Sequence, residues 1–205
     1  VLLVHGWESR GTAMRTFVPN LLAQGYRVVA FDGPAHGNSG GKRTNLPNFA
    51  GAIKAVINHI GGVDSIITHS FGGPSTMYAL SAIDNSLKVR NMVMIAGPSQ
   101  MSMVWQNTVN ILNVPPKAAA HFRFILERKV NMTMEQIDSP LFKNKMKVDK
   151  MLVVHDQTDK IIPFSQAEAN YADIEMADLL EVNGFGHYRL MKNPDLINYV
   201  TDFIG

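Results

Sequence analysis

Six short, nearly continuous apolar runs punctuate this chain: Val1–Val4, Arg27–Phe31, the run from Ser65 into Ser70, Val89–Ala96, Lys150–His155 and Leu179–Val182. Runs of this length without polar alternation suit strands covered on both faces, the condition of a parallel sheet. Helical patterns separate them. Met14, Phe17, Val18, Leu21 and Leu22 recur at helical spacing ahead of Gly25, and Phe49, Ile53, Val56, Ile57 and Ile60 do so between Pro47 and Gly61-Gly62. Met77, Leu80 and Ile83, a stretch from about Ser165, and finally Leu196, Val200 and Phe203 complete the series. Strands alternating with helices predict an α/β fold, a mostly parallel sheet with helices on both faces. At 205 residues the chain can build one sizeable core.

The rhythm breaks between Ser99 and Val148, where helix and loop patterns prevail. Seven basic residues (Lys117, Arg123, Arg128, Lys129, Lys143, Lys145, Lys147) stand there against Glu127, Glu135 and Asp138, which makes the segment +4 and the remainder −2. A structureless loop of that length is rare inside a compact domain. The segment is therefore expected to form an inserted helical lid, dividing the core into 1–98 and 149–205 around a lid at 99–148. Its apolar residues, Met101, Met103, Val104, Trp105, Ile111, Leu112, Phe122, Phe124, Ile125 and Leu126 among them, could line a pocket or form the lid's own core.

Ser65-Ile66-Ile67-Thr68-His69-Ser70-Phe71-Gly72-Gly73-Pro74 is where chemistry is expected. A buried strand runs directly into a serine flanked by small residues, and a helix follows. Such a turn lifts a hydroxyl clear of the backbone, where a base and N–H donors can reach it. Pro74 suits the first helical turn, which has no use for its missing N–H. Two features leave the reading open. A serine there could simply cap the helix, and Thr68 stands where G-x-S-x-G has its first glycine.

Ligands of open parallel sheets gather beyond the carboxyl ends of the strands. Four loops leave such ends with capable residues: His5-Gly6-Trp7, Ser70, Asp159 and His187. Asp32–Ser39 is similar to a D-x-x-G-H-G-x-S loop with Ala35 for its first glycine. His155–Pro163 is similar to H-G-x-x-D-x-x-V-P with Asp156 for glycine, and Gly186-His187 matches a base loop. With these motifs in the order nucleophile, acid, base, the chain resembles the α/β-hydrolase superfamily along essentially its whole length. The fold usually begins with two further strands, so the resemblance also implies a fragment lacking its N-terminal strands, with the Arg27–Phe31 strand left as an edge.

The resemblance implies a serine hydrolase, most simply a carboxylesterase, acting on a small acyl substrate through an acyl-enzyme. Ser70 would be nucleophile, His187 base and Asp159 its orienting acid, with the oxyanion held by the backbone N–H groups of Trp7 and Phe71. Thioesterase, amidase and C–C hydrolase chemistry remain open, as does a non-catalytic receptor on the same fold. Asp156 competes with Asp159 as the acid, and Asp159 could instead cap a helix or pair with Lys160. His5 and His36 are expected to be structural, His36 bracing the turn after it. Strand alternation should turn His69 away from Ser70. His59 and His121 are expected to be solvated. Arg10 or Glu8 could hold a polar part of the substrate, or serve only as a cap or surface pair.

Composition limits the other classes. A net charge of +2 gives no case for nucleic acid, and no apolar run approaches membrane-spanning length. No metal or cofactor is expected, since no His/Asp/Glu pair has ligand spacing and no loop follows the phosphate-cradle pattern. The chain has no cysteine, which excludes disulfides and thiolate chemistry and fits a cytoplasmic setting. No pattern bears on the oligomeric state.

Overall fold

The computed structural model describes residues 1–138, 141–142, 145–172 and 174–205. Six strands form one parallel sheet: β1 (Leu2–Val4), β2 (Val29–Ala30), β3 (Ser65–His69), β4 (Lys88–Ile95), β5 (Lys147–Asp156) and β6 (Ala177–Val182). Their order is β2-β1-β3-β4-β5-β6, so β3 lies inside the sheet, with Thr68 level with Val4 on one side and Met94 on the other.

The helices are α1 (Val18–Ala23), α2 (Leu46–His59), α3 (Gly72–Tyr78), α4 (Met101–Ile111), α5 (Pro116–Val130), α6 (Ser165–Tyr171), α7 (Gly186–Arg189) and α8 (Pro194–Ile204). Asn45 and Asn193 cap α2 and α8 by accepting the Asn48 and Leu196 amides at 2.9 and 3.0 Å.

Successive strand residues enter opposite cores. Leu2, Val4, Ile66, Met92, Met94, Met151 and Val153 pack on the side of α2 and α3. Leu3, Ile67, Val93, Ile95, Leu152 and Val154 pack on the side of Met14, Phe17, Leu21 and α8. Two buried faces leave no solvent side for polar residues, hence the continuous apolar runs.

Several expectations change in detail, and β6 starts at Ala177 rather than Leu179. The helix expected from Met14 to Leu22 is a 3-10 turn (Gly11–Phe17) followed by α1. Pro19 accounts for the break, because its ring cannot follow an α-helical turn already in place. The strand expected at Arg27–Phe31 reduces to Val29–Ala30, since among the described residues β2 is an edge strand paired only with β1. β5 begins at Lys147 rather than Lys150, because Lys147 and Val148 extend the ladder opposite Lys88 and Val89.

Between β4 and β5 stand α4, α5 and a 3-10 turn at Glu135–Ile137, and no residue of α5 is buried. Met101 and Val104 face a cavity, Trp105 stacks on Phe122 at 5.6 Å, and Ile111, Leu112, Phe122 and Phe124 are exposed. The apolar residues are thus shared between a cavity wall, a small helix–helix contact and the surface. Lys143, one of the segment's seven basic residues, lies outside the described residues.

Candidate active site

Ser70 sits at the turn from β3 into α3 with φ = 51°. This left-handed conformation is costly for a residue with a side chain, by about 1–3 kcal/mol, and is held here by its surroundings. The Ser70 N–H donates to the Ile95 carbonyl, and its own carbonyl accepts the Gly73 N–H, both at 2.9 Å. Close approach explains the neighbouring glycines. A Cβ at Gly72 would lie 2.7 Å from the Val4 carbonyl oxygen, and one at Gly6 would lie 2.9 Å from the Ser70 Cβ. Thr68 fits the turn because its hydroxyl is spent inside the sheet, donating to the Val93 carbonyl at 3.0 Å.

The three side chains singled out in the sequence form one hydrogen-bonded series. His187 Nδ1 is 2.7 Å from Asp159 Oδ2, and His187 Nε2 is 3.0 Å from Ser70 Oγ. An ionised carboxylate can only accept, so Nδ1 carries the hydrogen and Nε2 is left as acceptor for the serine hydroxyl. Burial pushes the Asp159 carboxyl up. The His187 N–H and the Ile162 and Ile161 amides outweigh that and hold it below the ordinary carboxylate range.

Asp156 does not reach His187. Its Oδ1 accepts the Thr158 amide and hydroxyl, and its Oδ2 accepts the Phe185 N–H at 2.7 Å. It therefore ties the loop after β5 to the loop carrying His187. Burial raises its carboxyl, yet the Thr158 hydroxyl and the Phe185, Thr158 and Gly186 amides together hold it low.

The loop after β1 passes beside Ser70. Among the described residues the Trp7 and Phe71 N–H groups donate to no protein acceptor, and the two rings meet edge to face at 5.2 Å. Glu8 adopts φ = 51°, and its N–H donates to His36 Nε2 at 3.1 Å. His36 thus braces this loop as well as its own turn. His5 is fully buried and accepts the Gly33 N–H at 2.8 Å. His59 and His121 are exposed.

A cavity of about 370 Å³ opens on Ser70 and His187, walled largely by apolar side chains that include Phe71, Pro98, Met101, Val104, Ile161 and Ile162. Glu8 lies on its rim, whereas Arg10 is exposed and takes no part in the wall. Sequence patterning missed Tyr188 and Pro98 on this wall, although Tyr188 is the neighbour of His187 in α7 and Pro98 lies in the loop leaving β4. It also gave no partner for His69. That ring lies 4.9 Å from the His187 ring, and its Nε2 is 2.9 Å from the His187 carbonyl. Alternation does turn it off the Ser70 hydroxyl, and toward His187. Among the described residues no group of three or more His, Asp or Glu side chains could hold a metal ion, and no helix is long and apolar enough to cross a membrane.

Solved structures share this architecture. An esterase from Exiguobacterium antarcticum is 16% identical, with a TM-score of 0.74 over 99% of this chain and 90% of its own. A monoacylglycerol lipase from Paleococcus ferrophilus is 19% identical, with a TM-score of 0.73 over 99% and 92%. A bromoperoxidase from Bacillus anthracis is 15% identical, with a TM-score of 0.73 over 99% and 90%. Neighbours so different in name show that the fold does not select the reaction. No curated protein matches by sequence. The model of the alpha/beta hydrolase family matches residues 1–180, and with the sheet and turn described above the chain belongs to that family.

Proposed function

We propose that the chain is a serine hydrolase that cleaves a small carboxylic ester through an acyl-enzyme. The observation that supports this most directly is the unbroken series Ser70 Oγ, His187 Nε2, His187 Nδ1, Asp159 Oδ2, with separations of 3.0 and 2.7 Å at its two hydrogen bonds. As Ser70 Oγ attacks the ester carbonyl, its proton passes to His187 Nε2. Asp159 holds the imidazole in the required tautomer and stabilises the imidazolium. The carbonyl oxygen becomes an oxyanion between the Phe71 and Trp7 amides. When the C–O bond breaks, Nε2 returns its proton to the leaving alcohol, and a water activated in the same way releases the acid.

The cavity supports an acyl compound of short or medium length. Its volume of about 370 Å³ lies near the lower end of small-molecule sites, and its largely apolar wall matches a hydrocarbon chain. In this reading α4 and α5 act as a lid, with α4 supplying part of the wall. An intact hydrogen-bonded series of this kind favours an enzyme over a receptor, since binding alone has no use for an activated hydroxyl.

Burst kinetics with p-nitrophenyl butyrate test the proposal. Rapid release of one equivalent of p-nitrophenol per chain, followed by slower turnover, is expected. Ser70→Ala should remove the burst and lower kcat by about 10³-fold or more. Asp159→Asn should cost about 10⁴-fold, by analogy with the same change in a protease triad. Full turnover by folded Ser70→Ala would overturn the proposal.

A further inference from the structure

The residue immediately before Ser70 holds the residue proposed to take its proton. His69 closes β3, is 2% exposed, and places Nε2 at 2.9 Å from the backbone carbonyl of His187. A carbonyl only accepts, so His69 carries its hydrogen on Nε2. The two imidazoles pack at 4.9 Å with a 50° tilt, and Tyr188 covers the His69 ring from 6.0 Å. On its other side, a Cβ at Gly6 would come within 3.2 Å of His69 Nδ1. The ring is wedged between the loop after β1 and the loop that carries His187.

That second loop needs outside restraint. α7 has four residues, and Gly184 ahead of it and Gly186 at its first position sit at φ = 90° and 65°. Glycines in this region leave the chain many alternatives. Asp156 restrains the loop at the Phe185 N–H, while the bond from His69 acts on His187 itself.

We propose that His69 is a positioning residue: its Nε2–H bond to the His187 carbonyl fixes the His187 imidazole at the distance from Ser70 Oγ that proton transfer requires. The proposal rests on the serine-hydrolase reading of Ser70, His187 and Asp159. Because Ser70 follows His69 directly, nucleophile and base are referred to one rigid strand end. The titratable groups facing His69 are His187, Asp159, Tyr188 and, from β1's end, His5. Burial pushes the His69 imidazole down to about 4, so it remains a neutral donor and brings no second positive charge beside the imidazolium.

The test separates the donor from the packing. His69→Phe keeps a flat ring but cannot donate, whereas His69→Gln can place an amide N–H close to the position of Nε2. On p-nitrophenyl butyrate, His69→Phe should lower kcat by about tenfold or more with little change in KM, and His69→Gln should return to within about threefold of wild type. A purely structural role would lower the yield or melting temperature without this split. Should His69→Phe fail to fold, His69→Asn replaces it, because its shorter amide cannot reach the carbonyl and should behave as Phe would. Wild-type labelling by a fluorophosphonate checks the reading beneath. An unlabelled wild type overturns both, whereas a labelled wild type overturns only the His69 proposal if the non-donating variant keeps full kcat or if Gln fails to restore it.

Discussion

Two buried imidazoles besides His187 flank the Asp159–His187 pair, and burial favours the neutral form of both. His155 donates from Nε2 to the Ile162 carbonyl at 2.9 Å and stands 3.6 Å from Asp159 Oδ2, while His69 meets His187 from the other side. Burial pushes both pKa values down, that of His69 to about 4. In the unfolded chain these groups titrate near the ordinary histidine value of about 6.5. Between the two values the unfolded state binds the proton and the folded state does not. These two histidines therefore contribute stability that is fully present above pH ~6.5 and is lost as the pH drops toward 4. Asp156 and Asp159 have depressed values, so their stabilisation is present above pH ~4 and is lost only below it. Urea midpoints measured from pH 7.5 to 4.5 should fall steadily, and less steeply for His69→Gln. Equal slopes for the two proteins would contradict the buried neutral assignment.

At the scale of elements, α4 joins the inserted segment to the site. Met101 and Val104 project into the cavity wall, and Gln166 of α6 accepts the Ser99 and Gln100 amides at 3.1 and 2.9 Å, fixing the chain just ahead of α4. A larger side chain at Val104 should shorten the accessible cavity without touching Ser70 or His187. In a series of p-nitrophenyl esters, Val104→Trp should shift the optimum to shorter chains. It should lower kcat/KM for octanoate by about tenfold or more while acetate changes little, a steric loss worth about 1.4 kcal/mol. An unchanged chain-length profile would remove α4 from the proposed acyl site.

These elements were legible in the sequence to different degrees. Strands buried on both faces advertise themselves through runs such as Val89–Ala96. The turn at Ser70 was readable because its neighbours must be small. Asp156 and Asp159 could not be separated by spacing alone, since the difference lies in which amides each carboxylate meets. What His69 meets was hidden for a related reason. Alternation gives the face on which a strand residue lies, but not which distant loop covers that face. The division of α4 and α5 between cavity wall and surface was equally hidden, because apolar residues at helical spacing look alike whichever neighbour they meet.

For the whole molecule, the sheet order gathers separate chain segments at one end. The carboxyl ends of β1, β3, β5 and β6 deliver Trp7, Ser70, Asp159 and His187 from positions far apart in sequence. The parallel sheet makes this convergence possible, because every strand points its following loop to the same side. Membership of the alpha/beta hydrolase family follows from that architecture, whereas the chemistry depends on whether Ser70 is an activated nucleophile. Intact-mass measurement after treatment with a fluorophosphonate reads that property without knowledge of the substrate. The expected result is a single adduct on the wild-type chain that is absent from Ser70→Ala and from His187→Ala. Folded wild-type protein that takes no label, or an adduct that persists in Ser70→Ala, would contradict the assignment of Ser70 as the nucleophile.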